Sequence, residues 1–418
     1  MHMPVRRAGT GTEPAPGVTG HRRRMWVALV ALAALAGAAC GAGSRGGSRD
    51  GPTAGVAHAD RSPKENIPSA LSDADDPALP KPLVDMREVI SGGPPPDGIP
   101  AIDAPRFQAV AAVDWLRDRE PVLALEIDGD ARAYPIQVMT WHEIVNDTVG
   151  SAPVTVTYCP LCNSALAYDR RVGERVLDFG TSGRLFRSAL VMYDRQTESL
   201  WAHFLGQAIA GVLTGTELET YPVSTVSWAD FRRAHPEGRV LSRDTGHTRS
   251  YGTNPYPGYD DVGTAPFLLR GTTDGRLEAK ARVVGVRQGT EEAVAVVLDG
   301  LARAGVVRTS LGRRPITVWH APGTASALDD RALADGRDVG ATGVFDPVLD
   351  GVALEFRAAG DGTFLDIESN SRWDILGRAI EGPHAGRRLS PVDHVDTFWF
   401  AWAAYLPATS IVPAGAPR

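Results

Sequence analysis

The chain has 418 residues, 43% of them hydrophobic, which is enough to bury a sizeable core and excludes a disordered protein. Its net charge is −7, and because residues 1–39 hold five arginines against one glutamate, the remainder is more acidic still. An acidic body with 7% aromatic residues argues against a nucleic-acid partner.

The N-terminus, "HRRRMWVALVALAALAGAAC", sets three arginines before one apolar run that ends in small residues. This is the pattern of an export signal over residues 1–39, and the run is too short for a comfortable membrane span. Gly37, Ala38 and Ala39 before Cys40 form a lipoprotein-like cleavage box. The expectation is an exported cell-envelope lipoprotein on the extracytoplasmic face, held to the membrane by a lipid on Cys40. The plainer reading of Cys40 is a residue lost with the signal. The Gly/Ser-rich stretch that follows has linker composition, so residues 40–76 are expected to be a disordered tether.

Beyond the tether, "PVLALEI", "ARAYPIQV", "PVTVTYC" and "RVLDFG" are short, β-branched or aromatic, and separated by turn residues. They predict a β-rich α+β fold with short helices and mainly antiparallel sheets. "EIDGDARAY" predicts a hairpin turning at Gly129–Asp130.

The two halves also resemble each other. "PVTVTYCPLCNSAL" (153–166) aligns without gaps on "PITVWHAPGTASAL" (315–328), and "DRQTESLWAHFLGQAIAG" (194–211) matches "DIESNSRWDILGRAIEG" (366–382) with one residue removed. Two further segment pairs keep the same order, so two homologous β repeats are expected, over residues 77–262 and 263–413. Trp201 and Trp373, Gly206 and Gly377, and Gly211 and Gly382 recur, as scaffold positions would. Cys159 and Cys162 do not: Ala321 and Thr324 stand opposite them. Nor does the second half offer a segment resembling "TWHEIVNDTVG", which carries His142.

Three readings of the Cys-x-x-Cys compete. Two soft thiolates, with His142 and the Met192 thioether, would suit copper, or else zinc. An exchangeable disulfide would make Cys159 and Cys162 a thiol oxidoreductase couple, Cys159 attacking. The plain alternative is a structural disulfide in a non-enzymatic binding module, although so small a loop gains little from closure. For His142 the plain reading is a hydrogen-bonded core residue, and for Glu143 and Asp147 a surface charge or a turn cap. His203, beside Trp201, reads as no ligand. A second cluster, "LSRDTGHTRSYGTNPYPGYDD" (241–261), gathers Asp244, Arg249, Tyr251 and Tyr256 in a Pro/Gly-rich loop. It suits a small ligand or the cover of a pocket, or equally an ordered linker. There is no G-x-S-x-G elbow, phosphate loop, H-E-x-x-H or dinucleotide fingerprint.

With these motifs assembled, "EVISGGPPPDGIPAID", "TWHEIVNDTVG", "VTYCPLCNSALAYDR", "MYDRQTESLW" and "LSRDTG" resemble the bacterial family catalogued as domain of unknown function 3179. The resemblance runs from about Asp85 to Pro407 and is loosest in the second half. It implies an exported or membrane-associated protein and marks His142, Cys159, Cys162 and Met192 as family-motif positions.

Overall fold

A two-residue turn joins β1 (Pro121–Ile127) to β2 (Asp130–Pro135). Asp128 and Gly129 both take positive φ there, at 52° and 80°, which is why an Asp-Gly pair suits the position. The turn thus lies one residue earlier than the sequence reading placed it. The computed structural model describes residues 62–413. They fold into mainly antiparallel sheets, with four α-helices of seven residues each among the described residues.

After β2 come α1 (Ile136–His142), β3 (Ile144–Val149), β4 (Ala152–Cys159) and β5 (Ser164–Asp169). A meander follows: β6 (Phe179–Phe186), β7 (Ala189–Asp194), β8 (Leu200–Ala202) and β9 (Gln207–Ala210). β10 (Val223–Ser227), α2 (Trp228–Ala234) and β11 (Arg239–Leu241) complete this half. The second half begins with β12 (Arg282–Gln288), β13 (Glu292–Val297) and α3 (Leu298–Ala304), then β14 (Val306–Leu311), β15 (Arg314–Ala321) and β16 (Ala341–Phe345). Its meander is β17 (Phe356–Ala358), β18 (Phe364–Asp366), β19 (Arg372–Trp373) and β20 (Ala379–Glu381), and it ends with β21 (Val395–Phe398), α4 (Trp399–Tyr405) and β22 (Ser410–Val412).

Strand order recurs between the halves. β10-β1-β2-β11 run side by side in a five-stranded sheet whose outer strand is Phe107–Ala109, and β21-β12-β13-β22 form a four-stranded one; in both, a strand joins in parallel, β11 to β2 and β22 to β13. β3-β4-β5 is matched by β14-β15-β16, and each half contains a meander of four strands, β6-β7-β8-β9 in the first and β17-β18-β19-β20 in the second. α3 and β14 occupy the place where the sequence reading found nothing like "TWHEIVNDTVG": the elements are there, without the side chains. The shared glycines have a steric reason. A Cβ on Gly206 (φ 68°) would come 2.5 Å from the Tyr168 ring, and one on Gly377 (φ 75°) 2.5 Å from the Phe345 ring.

The halves do not keep separate cores. Trp228 and Phe231 of α2 share a buried cluster with Trp319, Phe345 and Trp373 of the second half. In return Trp399, Trp402 and Tyr405 of α4 pack with Tyr158, Cys159 and Trp201 of the first. Burying an aromatic side chain of this size is worth roughly 3 kcal/mol, so each helix stabilises the half it does not belong to. Residues 62–76, read from sequence as the end of a disordered tether, are instead tied down: Ser62 N–H donates to Val176 O (3.1 Å), Glu65 N–H to Gln196 O (2.7 Å) and Leu71 N–H to Glu198 O (3.1 Å), and Ala70 is buried. The expected signal peptide and Cys40 lie outside the described residues. No described helix is long and apolar enough to cross a membrane.

Candidate functional site

Cys159 is the last residue of β4 and stands opposite Ser164, the first of β5. The turn between them is held locally by Asn163, whose φ of 51° lets its N–H reach Pro160 O at 3.3 Å. It is also held from outside. Cys162 O accepts from Phe398 N–H (3.1 Å) and Thr397 Oγ1 (2.8 Å), and Leu161 O accepts from the Tyr259 hydroxyl (3.0 Å). Elements distant in sequence therefore fix a four-residue turn. Both thiols are free, Cys159 at 2% exposure and Cys162 at 0%.

The two sulfurs are unlike. Burial works against a Cys159 thiolate, yet a hydrogen bond from the Cys162 thiol and the backbone N–H groups of Cys162, Leu190 and Leu161 outweigh it, so this thiol lies below its ordinary range. Burial pushes the Cys162 thiol far up, as do Cys159 and Glu143, while Ser164 Oγ, 3.0 Å from its sulfur, works the other way. Of the two, Cys159 is therefore the thiol that ionises first.

Glu143 supplies the third group. It follows α1 in the left-handed region (φ 59°, ψ −28°), its N–H bonded to Met139 O at 2.7 Å and its own carbonyl accepting Tyr158 N–H at 2.8 Å. A non-glycine residue at this position costs on the order of 1 kcal/mol. Its side chain is buried and makes no hydrogen bond among the described residues. Burial, and then the nearby Cys159 sulfur, raise its carboxyl well above the usual range.

A strap formed by residues 241–261 covers this cluster. Trp141 Nε1 donates to Thr253 O (3.2 Å), Asn254 N–H to Arg331 O (2.8 Å) and Tyr259 N–H to Leu328 O (3.0 Å). Burial raises the phenols of Tyr256 and Tyr259, and nearby Cys159 adds to both, with Glu143 adding to that of Tyr256. Lys280 Nζ sits 3.9 Å from the centre of the Tyr259 ring and donates to Tyr259 O at 2.6 Å.

The model of one family, described as a protein of unknown function, DUF3179, matches residues 96–409, a span that takes in both halves, the cysteine turn and the strap. The chain belongs to the DUF3179 family. No curated protein and no solved structure matches it.

In this DUF3179 chain the four residues grouped above as soft-metal ligands do not all converge. The ring nitrogens of His142 are both taken, Nδ1 by Pro100 O and Nε2 by the Tyr251 hydroxyl, each at 2.7 Å. Met192 is fully buried in β7, paired with Thr181 and Trp201. No group of three or more His, Cys, Asp or Glu able to hold a metal ion exists among the described residues. His203 is a buried core residue whose Nε2 meets Thr157 Oγ1 at 2.8 Å. Of the loop residues, Tyr251 and Tyr256 pack against the core, whereas Asp244 pairs with Arg106 at the surface and Arg249 bonds the carbonyl of Thr248. Glu143 was within sight of the sequence: its counterpart at the end of α3 is Gly305, the residue that position prefers.

Proposed function

We propose that this DUF3179 protein is a thiol–disulfide oxidoreductase of the cell envelope, with Cys159 as the attacking thiol and Cys162 as the resolving one. The observation that carries the reading is the asymmetry of two free, hydrogen-bonded thiols, one eased toward thiolate and the other kept protonated. In the reaction, Cys159 thiolate attacks one sulfur of a disulfide and the other sulfur leaves as a thiolate that takes up a proton. Cys162 then loses its proton, attacks Cys159 Sγ and releases the second thiol. A dithiol is oxidised, a disulfide is reduced, and an external dithiol restores the protein. Placement in the envelope, with a lipid on Cys40, rests on the N-terminal sequence.

The fold is read here as two copies of one unit, of which the second has kept the scaffold and lost the chemistry. Trp201 Nε1 donates to Asp194 Oδ2 at 2.9 Å, and Trp373 Nε1 to Asp366 Oδ2 at the same distance. Glu143, Cys159 and Cys162 correspond to Gly305, Ala321 and Thr324.

The test is a redox titration of the purified protein in glutathione buffers, with thiols counted and the Cys159–Cys162 disulfide identified by mass. A single two-electron transition lost in Cys159→Ser and in Cys162→Ser supports the reading. Thiols that never form a mutual disulfide overturn it, as does a stoichiometric copper or zinc ion that disappears in the double variant and makes the same two sulfurs a soft-metal site.

A further inference from the structure

The two halves meet around a small cavity of about 40 Å³. Its wall draws the same positions from each. Val122 pairs with Pro135, the residue before α1, and Val283 with Val297, the residue before α3, so Pro121 and Arg282 hold one place in their halves. Val226 pairs with Val122 and Thr397 with Val283, which matches Thr225 to Asp396. Tyr158 and His320, each the penultimate residue of its strand, pair with Ala165 and Thr342 and so match these two. All six matched residues line the cavity. In every pair the first half supplies the less polar member, so the scaffold closes here without needing a guanidinium, a second hydroxyl or a carboxylate.

The polar groups of the second half are fixed in place but not all used. Arg282 Nη2 donates to Asp260 Oδ2 (2.8 Å) and to Ser326 Oγ (2.7 Å), which sets the guanidinium. Thr324, also in the wall, is fully buried, and its carbonyl accepts Val339 N–H (2.9 Å) and Gly340 N–H (3.3 Å). Yet Arg282 Nε and Thr324 Oγ1 are buried with no hydrogen-bond partner among the described residues. Asp396 accepts from Thr342 Oγ1 on its Oδ1 (2.7 Å), and a carboxylate can accept several bonds more. A buried donor without a partner is costly, and two of them on one cavity call for an acceptor inside it.

Size and charge narrow the occupant. One water needs about 10–15 Å³ of such space, so a cavity of about 40 Å³ admits roughly three non-hydrogen atoms. Asp396 opposes an anion there and Arg282 a cation. A neutral group with an acceptor for Arg282 and Thr324 and a donor for Asp396 satisfies all three, and a carboxamide has that size and both functions. The cavity shares Arg282, Leu298, Val339 and Gly340 with an open cleft of about 470 Å³, a volume typical of ligand pockets, whose wall includes Val262, Ala302 and Pro322.

We propose that the cavity and the cleft form a binding site for a small molecule that ends in an uncharged carboxamide. The amide oxygen accepts from Arg282 Nε and Thr324 Oγ1, the amide NH2 donates to Asp396, and the body of the molecule lies in the cleft. The site makes no use of the thiols and stands apart from the dithiol reading.

The experiment takes the full purified protein and three probes of nearly one shape: acetamide, acetone, which accepts but cannot donate, and acetate, which is charged. Thermal unfolding is followed against probe concentration, and ligand-observed saturation-transfer NMR reports binding. Acetamide is expected to raise the unfolding midpoint saturably at millimolar concentration, with acetone and acetate roughly tenfold weaker or more. Thr324→Val keeps the shape and removes the unpaired hydroxyl. It should unfold no earlier than the wild type in the absence of probe, and should bind acetamide roughly tenfold more weakly. Asp396→Asn keeps an acceptor for Thr342 Oγ1 and should reverse the preference from acetamide to acetate. An equal response to the three probes, no saturable response to acetamide, or an acetamide affinity unchanged in both variants overturns the proposal and leaves the cavity to ordered water alone.

Discussion

Glu143 and Gly305 stand at the same point of the two halves, each closing a seven-residue helix with a backbone N–H bonded four residues back and a carbonyl bonded by the penultimate residue of a following strand. One is a buried carboxyl with φ 59°, the other a glycine with φ 72°. The acid is held against both conformational preference and desolvation, and the first prediction follows from that. Glu143→Gly is expected to stabilise the protein by about 1 kcal/mol in urea unfolding, because relief of the left-handed strain and of the buried carboxyl outweighs the small void left behind. A loss of stability of that size would instead make Glu143 a packing residue.

Gly305 should behave in the opposite way. A Cβ there would lie 2.5 Å from the Ala358 Cβ, and the φ of 72° strains any other residue. Gly305→Ala is expected to cost about 2 kcal/mol, from strain of 1–3 kcal/mol together with the clash. An unchanged urea midpoint would mean that β17, which carries Ala358, yields freely.

The Asp–Trp tie occurs once in each half. Asp194 is fully buried and accepts from Thr197 N–H (2.6 Å) and Thr197 Oγ1 (2.8 Å) as well as from Trp201. Asn at this position would turn an N–H toward one of these donors. Asp194→Asn is therefore expected to destabilise by about 2–3 kcal/mol, and Asp366→Asn likewise, since Ser369 replaces Thr197 there. Calorimetry on both variants would check it, and a cost confined to one half would break the parallel between the ties.

Part of this was legible in the sequence, and what was missed has a common cause. Short apolar runs between turn residues gave the strands, and the Cys-x-x-Cys with its missing counterpart drew attention to the turn after β4. Sequence could not tell which way the two adjacent residues at the end of α1 would turn. Successive helical side chains diverge by about 100°, and the left-handed residue then reverses the chain. His142 therefore meets the strap at the Tyr251 hydroxyl, and Glu143 bonds the residue before Cys159 through its carbonyl. Residues 62–76 were taken for tether because the Gly/Ser-rich linker composition just before them was carried forward. Their partners, Val176, Gln196 and Glu198, lie more than a hundred residues away, beyond any local pattern.

Acidification should weaken the fold through its buried histidines. Burial lowers His142 to about 4 and His203 to about 3, from an ordinary value of 6.5. The unfolded chain takes up these protons below pH 6.5, and the folded chain does so only near 4 and 3. Stability is therefore full above 6.5 and falls as pH drops through that window, by up to about 1.4 kcal/mol per pH unit for each histidine. Glu143, raised rather than lowered, works the other way, so the contribution is best isolated by variant. His203→Gln should flatten the slope between pH 6 and 4.5 by one proton in urea titrations, and an unaltered slope would show that His203 is already charged in the folded state.

The strap sets how fast anything reaches Cys159, and Tyr259 is where it is fastened. Its hydroxyl donates to Leu161 O at 3.0 Å and accepts Phe267 N–H at 3.1 Å, joining the cysteine turn to the segment that follows the strap. Tyr259→Phe removes both bonds while keeping the ring beneath Lys280. The expected cost is about 1–2 kcal/mol, and it falls on opening of the strap rather than on the cores. Iodoacetamide should then alkylate Cys159 roughly tenfold faster than in the wild type, because 1.4 kcal/mol off a local opening equilibrium multiplies the open population by that factor. Cys162, which the turn keeps fully buried, should remain the slower of the two. If both cysteines accelerate together and only in step with global unfolding measured in the same buffer, the strap is no separate gate and the site opens only when the whole fold does.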